Sequence, residues 1–250
     1  MSGLSLKWPA TSLCRHSTLK TPADGDGIAT PQNVKPPLLE NFVFYIETPE
    51  DMEDLGALLA TLAVPPTAIF LDGDLGAGKT ALSRGYLRTA TADPDLLVTS
   101  PTYLLSNVYT TGTQSRVYHM DLYRLGQKET VGEIRELLRP LNLDYIFAND
   151  ISLLEWPERL GPAFLQRYQR SSNHSLWPVL PLERLDVDIR IRKEQSEPRF
   201  VEEEEIEDVQ SRIVTLTPVG NRWREALQEA VDEGLVDDFL ISADDDMQVD

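Results

Sequence analysis

Eight consecutive residues, Gly73-Asp74-Leu75-Gly76-Ala77-Gly78-Lys79-Thr80, follow the pattern G-x-x-x-x-G-K-S/T, which suits a phosphate group. The glycines let the chain curl until backbone N–H groups converge on phosphate oxygens. A helix that starts directly after such a loop turns its positive end toward the same anion. Lys79 places a cation against the β- and γ-phosphates, and the Thr80 hydroxyl can complete a Mg²⁺ shell. An apolar run, Thr67 to Leu71, precedes the loop, and a helical pattern through Ala81, Leu82 and Leu87 follows it. That is the strand–loop–helix context the motif requires.

Phosphate chemistry of this kind also needs a carboxylate near the metal, typically at the end of an apolar strand. Two acids fit. Glu155 ends the run Ile151-Ser152-Leu153-Leu154, and Asp121 ends the more alternating Val117-Tyr118-His119-Met120. Spacing alone leaves open which of them faces the metal. Trp156, next to Glu155, suits either a place beside the nucleotide or the core. Ser100-Pro101-Thr102-Tyr103 lies between the loop helix and the next strand, where Thr102 could sense a γ-phosphate as switch loops do. The guanine signature N-K-x-D is absent, which favours ATP over GTP.

The elements that must position these groups alternate between strand and helix. Phe42–Ile46 reads as a strand; Thr48, Pro49 and Asp51 then supply an N-cap, an N1 proline and a first-turn acid. Leu55, Leu58, Leu59 and Leu62 continue that helix. Further strands are expected over 103–109, 116–122, 151–155, 185–191 and 213–216, with helices over 127–139 and 223–231. Such alternation argues an α/β fold. A P-loop ATPase domain is expected over 41–231, containing an inserted loop at 166–181 and an acidic loop at 194–208, followed by a disordered acidic tail over 232–250.

Composition narrows the function further. The chain has 250 residues, 41% hydrophobic and 26% charged, and no stretch approaches the about 18 uninterrupted apolar residues of a membrane helix. Its single cysteine, Cys14, excludes an internal disulfide or Cys-cluster zinc site. The three histidines are too scattered for a helical metal pair, though His119 is set apart by its neighbours. Net charge is −18, yet residues 194–208 and 231–250 each hold eight acids; without these segments 25 acids face 22 bases. The acidity belongs to two segments, and it argues against broad charge-driven binding of nucleic acid. The first 23 residues carry Lys7, Arg15 and Lys20 and no acid. Residues 1–40 therefore read as a disordered extension resembling an organellar transit peptide, mitochondrial by preference, with plastid or cytosol as alternatives.

Taken in order, GDLGAGKT (73–80), SPTY (100–103), YHMDLYRL (118–125), DYIF (144–147) and LLEWPE (153–158) resemble the TsaE family, over about residues 42–230. That family comprises the P-loop ATPase partner in tRNA threonylcarbamoyladenosine synthesis. The resemblance implies a P-loop NTPase fold with a central mixed β-sheet flanked by helices, and slow Mg²⁺-dependent ATP hydrolysis. It implies work with TsaD-type and TsaB-type proteins, with tRNA reached through that complex. Gly73, Asp74, Leu75, Gly76, Ala77, Gly78, Lys79, Thr80, Ala81 and Trp156 would then bind nucleotide, and Thr80 and Glu155 would bind Mg²⁺. Asp121, Lys79 and Thr102 would take part in hydrolysis. Ala81 stands where the family often has a second threonine, and the 126–143 and 166–181 stretches are longer than usual.

Two other readings suit the same residues. A small-molecule or nucleoside kinase would use the loop equally well, with Arg124, Arg159, Arg167 and Arg170 as candidates for a lid. An ATP-gated adaptor would signal by binding alone.

Overall fold

The computed structural model describes residues 38–126, 131–161, 180–192, 210–237 and 239. Seven strands form one mixed sheet, ordered β1-β7-β6-β2-β5-β4-β3. They are β1 (Phe42–Ile46), β2 (Thr67–Gly73), β3 (Ser106–Thr110), β4 (Arg116–Asp121), β5 (Ile151–Glu155), β6 (Arg184–Ile191) and β7 (Arg212–Val219). β6, β2, β5 and β4 run parallel, so their C-terminal ends meet at one edge of the molecule. β7 and β3 are antiparallel to their neighbours.

β2 and β5 are buried at nearly every position because helices cover both faces of the sheet. On one face Ile69, Leu71 and Leu153 pack with α1 (Pro49–Leu62), α2 (Lys79–Thr91) and the last helix, α5 (Asn221–Asp232), through Leu55, Leu59, Leu82, Leu87 and Trp223. On the other, Ala68, Phe70 and Leu154 pack with α3 (Val131–Leu138) and α4 (Leu143–Asn149) through Ile134, Leu138, Ile146 and Phe147.

α1 begins as its residues dictate. Thr48 Oγ1 accepts from Asp51 N at 3.1 Å, and Asp51 Oδ2 accepts from Thr48 N at 2.9 Å, a reciprocal capping box with Pro49 inside it. Thr48→Ala is expected to cost about 1 kcal/mol, read from the urea unfolding midpoint.

The third strand begins three residues later than the spacing predicts. Residues 102–105 form a turn in which Leu104 and Leu105 N both donate to Pro101 O, and only Ser106 enters the ladder. The helix expected over 127–139 is described from Val131, and a short 3-10 turn over Arg139–Leu141 ends it. DYIF, read only as part of a motif, lies in helix α4. Chain packing also outlasts the expected boundary at 232: Val236 is fully buried, and Phe239 sits edge-on to Phe44 at 6.4 Å and accepts from Tyr45 N at 2.7 Å. An apolar pair spaced through an acidic stretch is hidden from any charge count. The expectations for residues 1–37, 166–179 and 194–208, and for the tail beyond 239, lie outside the described residues.

Candidate functional site

The phosphate loop joins the end of β2 to the start of α2. Gly76 (φ 81°) and Gly78 (φ 113°) occupy the left-handed region, where a side chain would be strained. No side chain caps α2, so its first-turn N–H groups are left for another acceptor. Asp74, Leu75 and Gly76 stand exposed at the loop tip. Ala77 is buried beneath them, and its carbonyl accepts from Arg212 Nε at 3.2 Å. Ala81 packs its methyl against the core.

Lys79 is only 4% exposed. Its ammonium folds back on its own loop, donating to the carbonyls of Gly73 at 2.6 Å and Asp74 at 2.8 Å. It also lies 3.8 Å from the centre of the Trp156 ring, a cation–π contact. Burial pushes the Lys79 pKa below its ordinary value, while Glu155, Glu158, Asp121 and Asp72 pull it back up. Trp156 adopts φ 61°, leaving the strand direction as soon as β5 ends, and its ring meets Tyr123 at 5.0 Å. Arg159 is 5.8 Å from the same ring and paired with Glu158. Burial raises the Glu158 carboxyl pKa; its own backbone hydrogen bond lowers it, Asp72 adds to the rise, and Arg159 and Lys79 oppose it.

The two strand-end acids occupy different settings. In the parallel register Glu155 lies between Leu71 of β2 and Asp121 of β4. The Thr80 hydroxyl is 3.1 Å from both Glu155 oxygens, and Ser83 Oγ approaches Oε1 at 3.5 Å. Glu155 is therefore the acid that meets the phosphate-loop threonine. Asp121 faces the 100–102 turn: Ser100 and Thr102 hydroxyls donate to Oδ2, the latter at 2.7 Å, and Tyr123 N donates to Oδ1 at 2.8 Å. Both acids are buried, 2% and 3% exposed.

The fold thus gathers Lys79, Thr80, Glu155 and Trp156 in one group, with Asp121 and Thr102 in an adjoining one. Among the described residues, no cluster of three or more His, Cys, Asp or Glu is placed to hold an ion unaided. Mg²⁺ held together with phosphates does not need one, since it keeps waters and takes one or two carboxylates. The hydroxyl–carboxylate pair Thr80–Glu155 consists of hard oxygen donors and fits that ion.

Sequence reading gave no role to Ser83, Ser100, Tyr123 or Glu158. Nor did it foresee that His119 Nε2 lies 2.8 Å from Glu155 Oε1. A signal was present: residues 119 and 121 are two apart on a strand and so share a face. The arginines that could have formed a kinase lid are otherwise engaged: Arg124 lies over Tyr103 at 3.8 Å, and Arg159 pairs with Glu158. Arg167 and Arg170 fall outside the described residues.

Comparison with known proteins matches residues 46–197 to the family described as "Threonylcarbamoyl adenosine biosynthesis protein TsaE". That span contains every site residue named above except Arg212. Among relatives called tRNA threonylcarbamoyladenosine biosynthesis protein TsaE, the one from Bacillus subtilis (strain 168) is 29% identical over 182 residues, covering 72% of this chain and 88% of the relative. One from Nostoc sp. (strain PCC 7120) is 34% identical over 121 residues, 46% of this chain and 68% of the relative. One from Synechocystis sp. (strain PCC 6803) is 36% identical over 119 residues, 47% and 71% respectively. A crystal structure of Bacillus subtilis YdiB superposes with a TM-score of 0.49 at 24% identity, covering 78% of this chain and 96% of that one. With a family model spanning more than half of its length, the chain belongs to the TsaE family.

Proposed function

We propose that this chain binds ATP with Mg²⁺ and hydrolyses it slowly in support of threonylcarbamoyladenosine modification of tRNA, without itself transferring the threonylcarbamoyl group. The observation that carries this reading is the meeting of Lys79, Thr80 and Glu155 at the C-terminal ends of parallel β2 and β5, with Asp121 ending the next strand. TsaD-type and TsaB-type proteins are the proposed partners, and tRNA is reached through them.

Thr80 and Glu155 would hold Mg²⁺, which supplies positive charge to the phosphate oxygens. Lys79 exchanges its two loop carbonyls for the β- and γ-phosphates. The uncapped first-turn N–H groups of α2 donate to the same anion. Asp121 accepts a hydrogen bond from the attacking water and aligns it. Water adds to the γ-phosphorus as the bond to the ADP oxygen breaks, giving ADP and hydrogen phosphate, with one proton of the water kept on the phosphate and the other released to solvent. Thr102 and Ser100, now bonded to Asp121, belong to the turn that rearranges when the γ-phosphate is present and relaxes after its release.

The test is ATP hydrolysis by the purified chain with Mg²⁺, alone and with TsaD-type and TsaB-type partners, beside Glu155→Ala. Slow turnover that changes with partners and falls at least roughly 100-fold in the variant is expected. Partner-insensitive turnover that rises only with a nucleoside or sugar acceptor would overturn the reading in favour of a kinase. An organellar location is also proposed, from the basic, acid-poor residues 1–23. A fluorescent fusion of residues 1–40 is expected to enter the organelle; diffuse cytosolic signal would refute this.

A further inference from the structure

His119 is fully buried at the centre of β4, with Nε2 2.8 Å from Glu155 Oε1 and Nδ1 buried without any hydrogen-bond partner. Its ladder partner is Leu153, so the imidazole reaches diagonally across the strands to the residue two places further along β5.

The pairing determines where the ring proton sits. With the proton on Nε2, the ring donates to a carboxylate oxygen and leaves only a lone pair unpartnered at Nδ1. With it on Nδ1, a lone pair would face that oxygen at 2.8 Å and a buried N–H would lack an acceptor. An unmade donor bond in the core is costly, and the opposed lone pairs add to that cost.

The carboxylate is therefore held unevenly. Thr80 Oγ1 carries one proton and lies 3.1 Å from both oxygens, so it serves either one. Beyond that shared donor Oε1 receives His119 at 2.8 Å and is approached by Ser83 at 3.5 Å, whereas Oε2 has no other donor among the described residues. Oε2 therefore keeps the greater acceptor capacity. We propose that His119, with the proton on Nε2, is a positioning residue that anchors Glu155 through Oε1 and so turns Oε2 toward the nucleotide-bound Mg²⁺. This rests on the ATPase reading above. It adds that the metal-facing oxygen is chosen from within the sheet, by a side chain that touches neither metal nor nucleotide. Metal ligands commonly depend on such outer hydrogen bonds, worth 10–100-fold in metal affinity or activity.

Two variants and one spectrum test it. His119→Leu removes the donor while keeping a buried side chain of similar size. His119→Gln returns an N–H near the position of Nε2. The Leu variant is expected to lose at least roughly tenfold in kcat and to need at least roughly tenfold more Mg²⁺ for half-maximal rate, with KM for ATP within about twofold. The Gln variant is expected to recover most of both losses. Leu and Gln variants with equal rates, or a Leu variant within twofold of the parent, would overturn the proposal. Nitrogen-15 spectra of the nucleotide-free protein, simplified by its three histidines, are expected to show His119 protonated at Nε2 and bare at Nδ1. The opposite tautomer would also overturn it, even if the Leu variant did not fold. A parent chain with the expected tautomer but no ATP hydrolysis would instead sink the ATPase reading and leave the Glu155 anchor standing.

Discussion

Lys79→Ala is expected to reduce ATP hydrolysis by at least roughly 100-fold and to weaken ATP binding. The ammonium is the cation that the motif places against phosphate, and it is buried, with Lys79 only 4% exposed. Burial lowers its pKa, and its hydrogen bonds go to the Gly73 and Asp74 carbonyls. A phosphate therefore displaces two neutral acceptors, not a hydration shell, and gains a charge-assisted bond in a low-dielectric setting. Leaving the carbonyls also frees Lys79 from the Trp156 ring 3.8 Å away. Trp156 emission is thus expected to shift when ATP binds the parent chain and to stay unchanged in Lys79→Ala. Single-turnover hydrolysis and a fluorescence titration check both statements. Repeated rounds of tRNA modification by a partner complex containing Lys79→Ala would count directly against an ATP-driven role.

Gly85→Ala is expected to destabilise the fold by about 3 kcal/mol or more, or to prevent folding. α1 and α2 cross so closely that a Cβ on Gly85 would sit 1.8 Å from Glu53 O, and one on Gly56 would sit 2.1 Å from Leu82 O. Neither obstacle is the far end of a flexible side chain; both are helix backbone, which yields only if the helices move apart. Separation would also displace Met52, which packs beneath Gly78, and hence the start of α2 and the phosphate loop. Gly112→Ala makes the control, since a Cβ there meets nothing within 4 Å. It should change the urea midpoint little, within about 0.5 kcal/mol. Similar losses at positions 85 and 112 would refute the close-crossing account.

The elements with local signals were legible along the chain. The N-cap of α1, the apolar run of β2 and the glycine loop before α2 depend on neighbours within a few residues, and the structure reproduces them. Signals shared between distant segments were less so. The start of β3 shifted to Ser106 because Pro101 captures two amides in a turn. Val236 and Phe239 pack although they lie among acids, because one buried apolar side chain can anchor a polar segment.

The same division runs through the site. Consecutive residues 73–80 determine the phosphate loop, since its shape follows from glycine dihedrals and the helix that begins at Lys79. The identity of two strand-end acids was likewise readable, because each closes an apolar or alternating run. Their placement was decided by register. β2 pairs with β5 so that Leu71 meets Glu155, and this brings a carboxylate to a threonine 75 residues away. β4 pairs with β5 so that Asp121 stands beside Glu155 and His119 reaches it across the strands. A shift of one residue in either ladder would turn these side chains to the opposite face, and burial of both faces of the sheet forbids that shift. Residue types determined which chemistry is available; only the packed parallel sheet decided which acid meets the phosphate loop and how it is held.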